Sequence, residues 1–303
     1  MLTKSKLYVA MLVLSLFLTG CAGGDATGVS VADGYAINEI RIALLIDDGN
    51  PDSGVVFEDF RQGLEEHVGM PVRVIEGATH LVGIEAMRAG NLDIMWGSPF
   101  VYLLSQQVVE VERLVVTNNP ESINKTVFIT NNDNIQTLED LRGHSFAFIN
   151  PSSASGFLYP VYHLMNAFDI DRDEILTGNF FSTVAYSGGQ DASIMGVIHG
   201  DFDAASVGNL NLRSIIASGL INEDDIRIID STEIIPFPGY IAGKHLPEEL
   251  RENIQQFMLS YENDEYFQTR FNAADTRFVL PEQGSILHLQ SMVAALDIDL
   301  ENQ

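Results

Sequence analysis

Asn150-Pro151-Ser152-Ser153-Ala154-Ser155-Gly156 is the segment whose residue types and spacing are best suited to holding a ligand. It follows an apolar β-type run, Phe146-Ala147-Phe148-Ile149, and precedes a segment that reads as a helix from residue 157 to about residue 166. A strand that ends in a small-residue turn and then starts a helix leaves backbone N–H groups without partners. Those donors and the positive end of the helix dipole suit a phosphate-like oxyanion. The hydroxyls of Ser152, Ser153 and Ser155 add donors without crowding a ligand. A plain Ser-rich helix cap has the same composition, so the turn alone leaves both readings open.

Two further turns repeat the chemistry. Gly97-Ser98 precedes Pro99, which suits a first helical turn because its missing N–H costs nothing there. Gly188-Gly189-Gln190 precedes a helical segment from about residue 191 to residue 199. In open α/β sheets, ligands bind outside the carboxyl ends of the strands, so the three turns can converge on one cleft. Asn209 follows the short strand 203–207 and can reach that cleft or serve as an ordinary turn residue. Tyr102 and Trp96 are candidates for aromatic walls, although Trp96 lies inside a strand and is better read as core.

Catalytic patterns are missing. The seven histidines are scattered, with no helical pair at zinc-ligand spacing, and no Gly-x-Ser-x-Gly elbow occurs. Asp169, Asp171 and Asp173 imitate the opening of a calcium loop, but Glu174 stands where the sharp turn requires Gly. In so acidic a chain such alternation reads as a solvated turn. No enzyme, metal site or cofactor is expected.

The elements that must position these turns alternate. The run 40–46 is β-type, and Asp47, Asp48, Gly49, Asn50 and Pro51 form a loop. Val56, Phe60, Leu64 and Val68 recur at helical spacing over 55–68. Strand 72–75, helix 81–89, strand 94–96 and a helix over 100–109 complete a first unit. A second begins after Val127-Phe128-Ile129. It has a capped short helix from Thr137 to Leu141, then strands 146–149 and 183–186. The order predicts an open α/β sheet with crossover helices. An internal echo supports two units: Ala89-Gly90-Asn91-Leu92-Asp93-Ile94-Met95 parallels His199-Gly200-Asp201-Phe202-Asp203-Ala204-Ala205. Each closes a helix at Gly and enters a strand after Asp.

The first 20 residues read as an export signal: Lys4 and Lys6 precede an apolar run from Leu7 to Leu18, too short for a comfortable membrane span. Leu18-Thr19-Gly20-Cys21 resembles a bacterial lipobox, in which Cys21 is lipidated; it is the only cysteine, so no internal disulfide is available. Residues 21–36 suit a flexible tether. The expectation is a protein anchored by lipid alone, facing the periplasm or exterior.

The formal net charge is −26, and loss of Lys4 and Lys6 with the signal makes it −28, leaving Lys125 and Lys244 as the only lysines. Nucleic acid is excluded as a partner, because neutralising phosphates needs clustered Lys and Arg. Self-repulsion at this charge weakens a compact state and salt screens it, which suggests a halophilic or alkaline setting.

Taken together, the motifs resemble the phosphate/phosphite/phosphonate-type substrate-binding proteins of ABC transporters, from about Ile40 to Phe278. The resemblance rests on residues 89–94 running into Gly97-Ser98-Pro99-Phe100-Val101-Tyr102 and on Asn150 through Pro160. Residues 200–205 and Ile235-Pro236 with Pro238 extend it. It implies a two-lobed, type II-like periplasmic-binding-protein fold with a ligand cleft between lobes. Lobe 1 would span 37–128 plus 240–303 and lobe 2 would span 129–239, with crossings near 126–131 and 231–239. It also implies a monomer that hands a small oxyanion to a permease and its ATPase. Carried over by position, the oxyanion site falls on Ser153, Ala154 and Ser155 with Gln190, beside Ser98, Tyr102 and Asn209. Ala154 stands where Thr is frequent, and Gln190 stands where the family carries histidine, so an amide replaces a chargeable ring. Phe237-Pro238-Gly239 supplies no acid after the Ile-Pro pair, which puts aminoalkyl phosphonates in doubt. A sensory protein of the same fold is the alternative, and an exported hydrolase a remote one.

Overall fold

The computed structural model describes residues 37–45, 53–119, 123–271, 273–282 and 284–298. The signal segment, the tether with Cys21 and the loop from Asp47 to Pro51 lie outside these described residues.

Two sheets carry the fold. The first has the order β11-β4-β10-β3-β1-β2. Its strands are β1 (Ile40–Leu45), β2 (Val72–Ala78), β3 (Ile94–Gly97), β4 (Val111–Asn118), β10 (Gly239–Gly243) and β11 (Arg277–Val279). The second has the order β7-β6-β8-β5-β9. It is built from β5 (Lys125–Thr130), β6 (Ser145–Phe148), β7 (Thr183–Tyr186), β8 (Ala204–Gly208) and β9 (Arg227–Ile234).

The sheets share a plan. In the first, β1 runs parallel to β2 and β3, and β10 enters antiparallel between β3 and β4. In the second, β6 runs parallel to β7 and β8, and β5 enters antiparallel between β8 and β9. Each inserted strand therefore comes from the segment that has just crossed from the other sheet. The chain crosses between Asn118 and Lys125 and returns between Ile234 and Gly239. The first crossing precedes the segment the resemblance implied, because residues 126–130 are already strand, paired with β8 and β9.

Helices connect the parallel strands. In the first half these are α1 (Ser53–Val68), α2 (His80–Arg88) and α3 (Pro99–Val108). In the second they are α4 (Tyr159–Phe168), α5 (Arg172–Leu176), α6 (Gln190–His199) and α7 (Asn209–Ala217). The C-terminal part adds α8 (Glu248–Ser260), α9 (Asp264–Phe271) and α10 (Leu287–Ala295). The 3.6-residue pattern of α1 works as expected: Val56, Phe60 and Leu64 are buried. Phe60 stacks on Tyr240 at 5.5 Å and on Tyr266 at 5.3 Å, which seats α1 on the first sheet. One apolar cluster joins Phe100, Val101 and Leu104 of α3 to Phe146, Phe157 and Leu158 of the second half, so the halves share core.

Two local expectations change. The short helix after Thr137 is a 3-10 turn over Glu139–Leu141. Its start is held by Asp140, whose carboxylate accepts from Gln136 N, Thr137 N and Thr137 Oγ1 at 2.9–3.0 Å, instead of by a Thr137 cap. The segment after the Ser-rich turn becomes helical at Ala154, three residues earlier than expected, and opens as a π-helical turn over Ala154–Leu158.

Candidate functional site

That π-helical turn is built by its own serines and by hydroxyls from neighbouring strands. Ser153 caps it, its Oγ accepting from Gly156 N at 3.0 Å. Ser152 is buried and gives its hydroxyl to Asn150 Oδ1 at 2.8 Å, so it serves the loop. A wider turn leaves carbonyls out of the usual ladder, and buried donors collect them. Thr126 Oγ1 donates to Ser155 O at 2.7 Å, and Ser206 Oγ donates to Gly156 O at 3.3 Å. Thr126 N in turn donates to Thr232 Oγ1 at 3.1 Å, which links the turn to β9. With the Ser155 and Gly156 carbonyls held by these buried hydroxyls, the turn starts with the N–H groups of Ala154 and Ser155, which a helix start leaves without internal partners. π-helical turns concentrate at functional positions.

Gln190 opens α6 and joins three helix starts through one side chain. Its Nε2 donates to Ser155 Oγ at 3.0 Å, while its Oε1 accepts from Gly208 N at 2.9 Å. Gly208 immediately precedes α7. The approach is close: a Cβ on Gly208 would stand 2.8 Å from Asn211 Oδ1 and 3.4 Å from Ser155 Oγ, so a larger residue would require the Asn211 amide to shift. The turns after β6, β7 and β8 thus meet at Ser155, Gln190 and Gly208, with Ser153 and Ala154 in the same turn. These groups are uncharged. Asp191, exposed in the first turn of α6, complements the helix dipole from the solvent side.

On the first-sheet side, Ser98 caps α3, its Oγ accepting from Val101 N at 3.2 Å, with Pro99 in the first turn. Helix α3 packs directly on the π-helical turn. Tyr102, one turn along α3, is half-buried beneath Arg113, whose guanidinium lies 5.6 Å from the ring centre. Its hydroxyl accepts from Gln106 Nε2 at 2.8 Å. Burial raises the Tyr102 phenol above its usual range, with Arg113 pulling the other way; burial likewise lowers the Arg113 guanidinium. Trp96 packs edge-on against Tyr240 at 5.1 Å and beside Phe271, as core.

Asn209 holds the segment where the chain enters the second sheet. Its Oδ1 accepts from Lys125 N at 2.8 Å and its Nδ2 donates to Ile123 O at 2.6 Å. Both ends of the amide engage the backbone of that segment. Thr126, Ser206, Thr232 and Gly208 are the participants that sequence reasoning missed. For Thr126 and Ser206 the signal was a hydroxyl inside an apolar strand; Thr232, in the more polar β9, and Gly208 carried no such mark, although all three hydroxyls are buried. Among the described residues no cluster of His, Cys, Asp or Glu suits a metal ion, and no helix is long and apolar enough to cross a membrane.

Two α/β sheets exchanging strands at paired crossings, with helix starts of one gathered against a helix of the other, define a two-lobed solute-binding protein. The pattern of the ABC transporter phosphonate periplasmic substrate-binding proteins matches residues 50–284, and the chain belongs to this family. It is the extracytoplasmic substrate-binding component of a transporter and not an enzyme.

The phosphate-import protein PhnD of Mycolicibacterium smegmatis is 21% identical over 270 residues, covering 87% of this chain and 84% of that protein. The phosphonates-binding periplasmic protein of Escherichia coli is 24% identical over 212 residues, 67% of this chain and 60% of that protein. Among solved structures, PhnD1 of Prochlorococcus marinus in complex with methylphosphonate superposes with a TM-score of 0.72 at 18% identity, covering 86% of this chain and 98% of that one.

Proposed function

We propose that this protein binds a small phosphorus oxyanion (a phosphonate, phosphite or phosphate) between its lobes and delivers it to the permease and ATPase of an ABC importer. The observation that carries the reading is the meeting of three helix starts at Ser155, Gln190 and Gly208, beside the Ser153 cap. Oriented hydroxyl and backbone donors favour a tetrahedral oxyanion through charge-assisted hydrogen bonds, and the aligned helix dipoles add to them. Ser153, Ala154, Ser155 and Gln190 form the second-lobe half of the site, and Ser98 and Tyr102 belong to the facing half. The lobes follow the two sheets, so the first boundary falls a few residues before the one the resemblance implied: lobe 1 takes residues 37–118 and 239–298, lobe 2 residues 125–234, and the protein works as a monomer. Lipid on Cys21 holds it at the membrane, consistent with the lipobox-like Leu18-Thr19-Gly20-Cys21.

Calorimetric titration of the purified protein in high salt tests the ligand class. The panel is phosphate, phosphite, methylphosphonate and 2-aminoethylphosphonate, with sulfate as control. Micromolar or tighter binding of one phosphorus oxyanion is expected. Silence across the panel from folded protein overturns the reading. Radiolabelled palmitate incorporation that disappears in Cys21→Ala is the expected result for the anchor.

A further inference from the structure

We infer that Gln190 is a positioning residue that turns the hydroxyl proton of Ser155 toward the ligand; the inference rests on the oxyanion reading above. The argument is one of hydrogen-bond polarity. Gly208 N–H can only donate, so the Gln190 atom it meets at 2.9 Å is the carbonyl oxygen. That partner alone fixes which end of the amide is oxygen and which is nitrogen. The nitrogen must then face Ser155 Oγ, at 3.0 Å, and it can only donate. Ser155 Oγ accepts this bond, and its own proton is directed elsewhere. The Ser155 carbonyl is held by Thr126 Oγ1 at 2.7 Å, which fixes the backbone from which the hydroxyl projects. Ser155 therefore meets the ligand as a donor.

The consequence is specificity for ionisation state. A ligand oxygen that takes the Ser155 proton acts as an acceptor, a role a deprotonated P–O⁻ fills better than a P–OH or ester oxygen. Gln190 achieves this without a charge of its own, so the donor direction of Ser155 does not change with pH.

The test uses Ser155→Ala, Gln190→Ala, the double variant and Gln190→Glu, titrated with whichever of phosphate, phosphite or methylphosphonate binds the wild type. Ser155→Ala is expected to weaken binding about 10-fold or more, the usual scale for a hydrogen bond to a charged group. Gln190→Ala weakens binding in the wild-type background and adds nothing in the Ser155→Ala background, the signature of action through Ser155. In Gln190→Glu the ionised carboxylate can accept but not donate, so it draws the Ser155 proton inward and binding falls further. On acidification the neutral acid again accepts from Gly208 and donates to Ser155, and Gln190→Glu recovers relative to wild type at the same pH.

A full-size Gln190→Ala loss in the Ser155→Ala background overturns the inference. So does a Gln190→Glu variant that binds like wild type at neutral pH. Absence of wild-type binding to every probe is distinguishable from these outcomes: it removes the oxyanion reading itself, and this inference with it.

Discussion

Asp93 and Asp203 hold equivalent places in the two halves of the chain, each tying its own strand to the parallel neighbour. Asp93 Oδ2 accepts from Arg41 N at 2.7 Å, and Asp203 Oδ2 accepts from Ser145 N at 2.9 Å. The strands that follow pair in matching register, Ile94 with Ile42 and Ala204 with Phe146. Each carboxylate thus closes a backbone N–H one position before the ladder begins, which gives the echo between residues 89–95 and 199–205 a physical meaning. The surroundings differ. Asp93 is buried and also receives the Arg41 guanidinium at 2.6 Å and His245 Nε2 at 2.8 Å. Asp203 is half-buried and is served by Ser145 Oγ at 2.8 Å and by Asn132.

Acid sensitivity follows from Asp93. Burial pushes its carboxyl up, but hydrogen bonds from His245 and Arg41 outweigh burial and leave it below its ordinary value. A carboxylate with a depressed folded pKa stabilises fully above the unfolded value near about 4, and that contribution is lost as pH falls through the lower folded value. Asp93→Asn removes the charge that faces Arg41 and is expected to cost on the order of 1–3 kcal/mol, flattening the acid limb of the stability curve. Urea denaturation as a function of pH measures both; an unchanged acid limb contradicts the assignment.

Gly156 tests the π-helical turn. A Cβ there would stand 2.3 Å from Ile149 Cδ1 and 2.5 Å from Ile149 Cβ, too close for side-chain adjustment alone. Gly156→Ala should cost about 1–3 kcal/mol or more through overpacking and displace the turn that carries Ser155. Thermal melting with ligand titration reads the two effects; a variant as stable as wild type shows that the turn yields easily.

Thr126 tests the second layer. Thr126→Val keeps the buried shape and removes the donor to Ser155 O. A loss of about 1–3 kcal/mol is expected, because the Ser155 carbonyl loses its buried partner. Oxyanion affinity should fall with it although residue 126 touches no ligand. Retained affinity at reduced stability limits Thr126 to folding alone.

Salt tests the charge. At a net charge of −26, self-repulsion opposes the compact state, and screening shortens from about 10 Å at 0.1 M to about 3 Å at 1 M. Urea midpoints should rise from low to molar potassium chloride. A midpoint indifferent to salt removes the halophilic reading.

Much of the local structure was legible in the chain. The apolar spacing of Val56, Phe60 and Leu64 marked α1, Gly97-Ser98-Pro99 marked the start of α3, and the serines marked a helix start after β6. Such signals act over a single turn or a few strand residues, so they survive without tertiary context. Strand β10 was not legible: Gly239–Gly243 pairs with β3 and β4, each more than 100 residues away in sequence, and no short-range pattern records that pairing.

The sequence by itself determined the alternating α/β plan and the residue types of the donor cluster, because apolar spacing, capping and small-residue turns are local properties; the class of protein was legible only through the family resemblance its motifs carry. Only the tertiary structure decided which donors meet. Ser155 and Gln190, 35 residues apart, face each other because β6 and β7 pair side by side in parallel and deliver their turns to one end of the sheet. Asn209, equally eligible by type and position, was drawn instead to the backbone of Ile123 and Lys125. The reason is competition for partners. A polar side chain bonds whatever unsatisfied group the fold brings within about 3 Å, and which group that is depends on strands far apart in the chain.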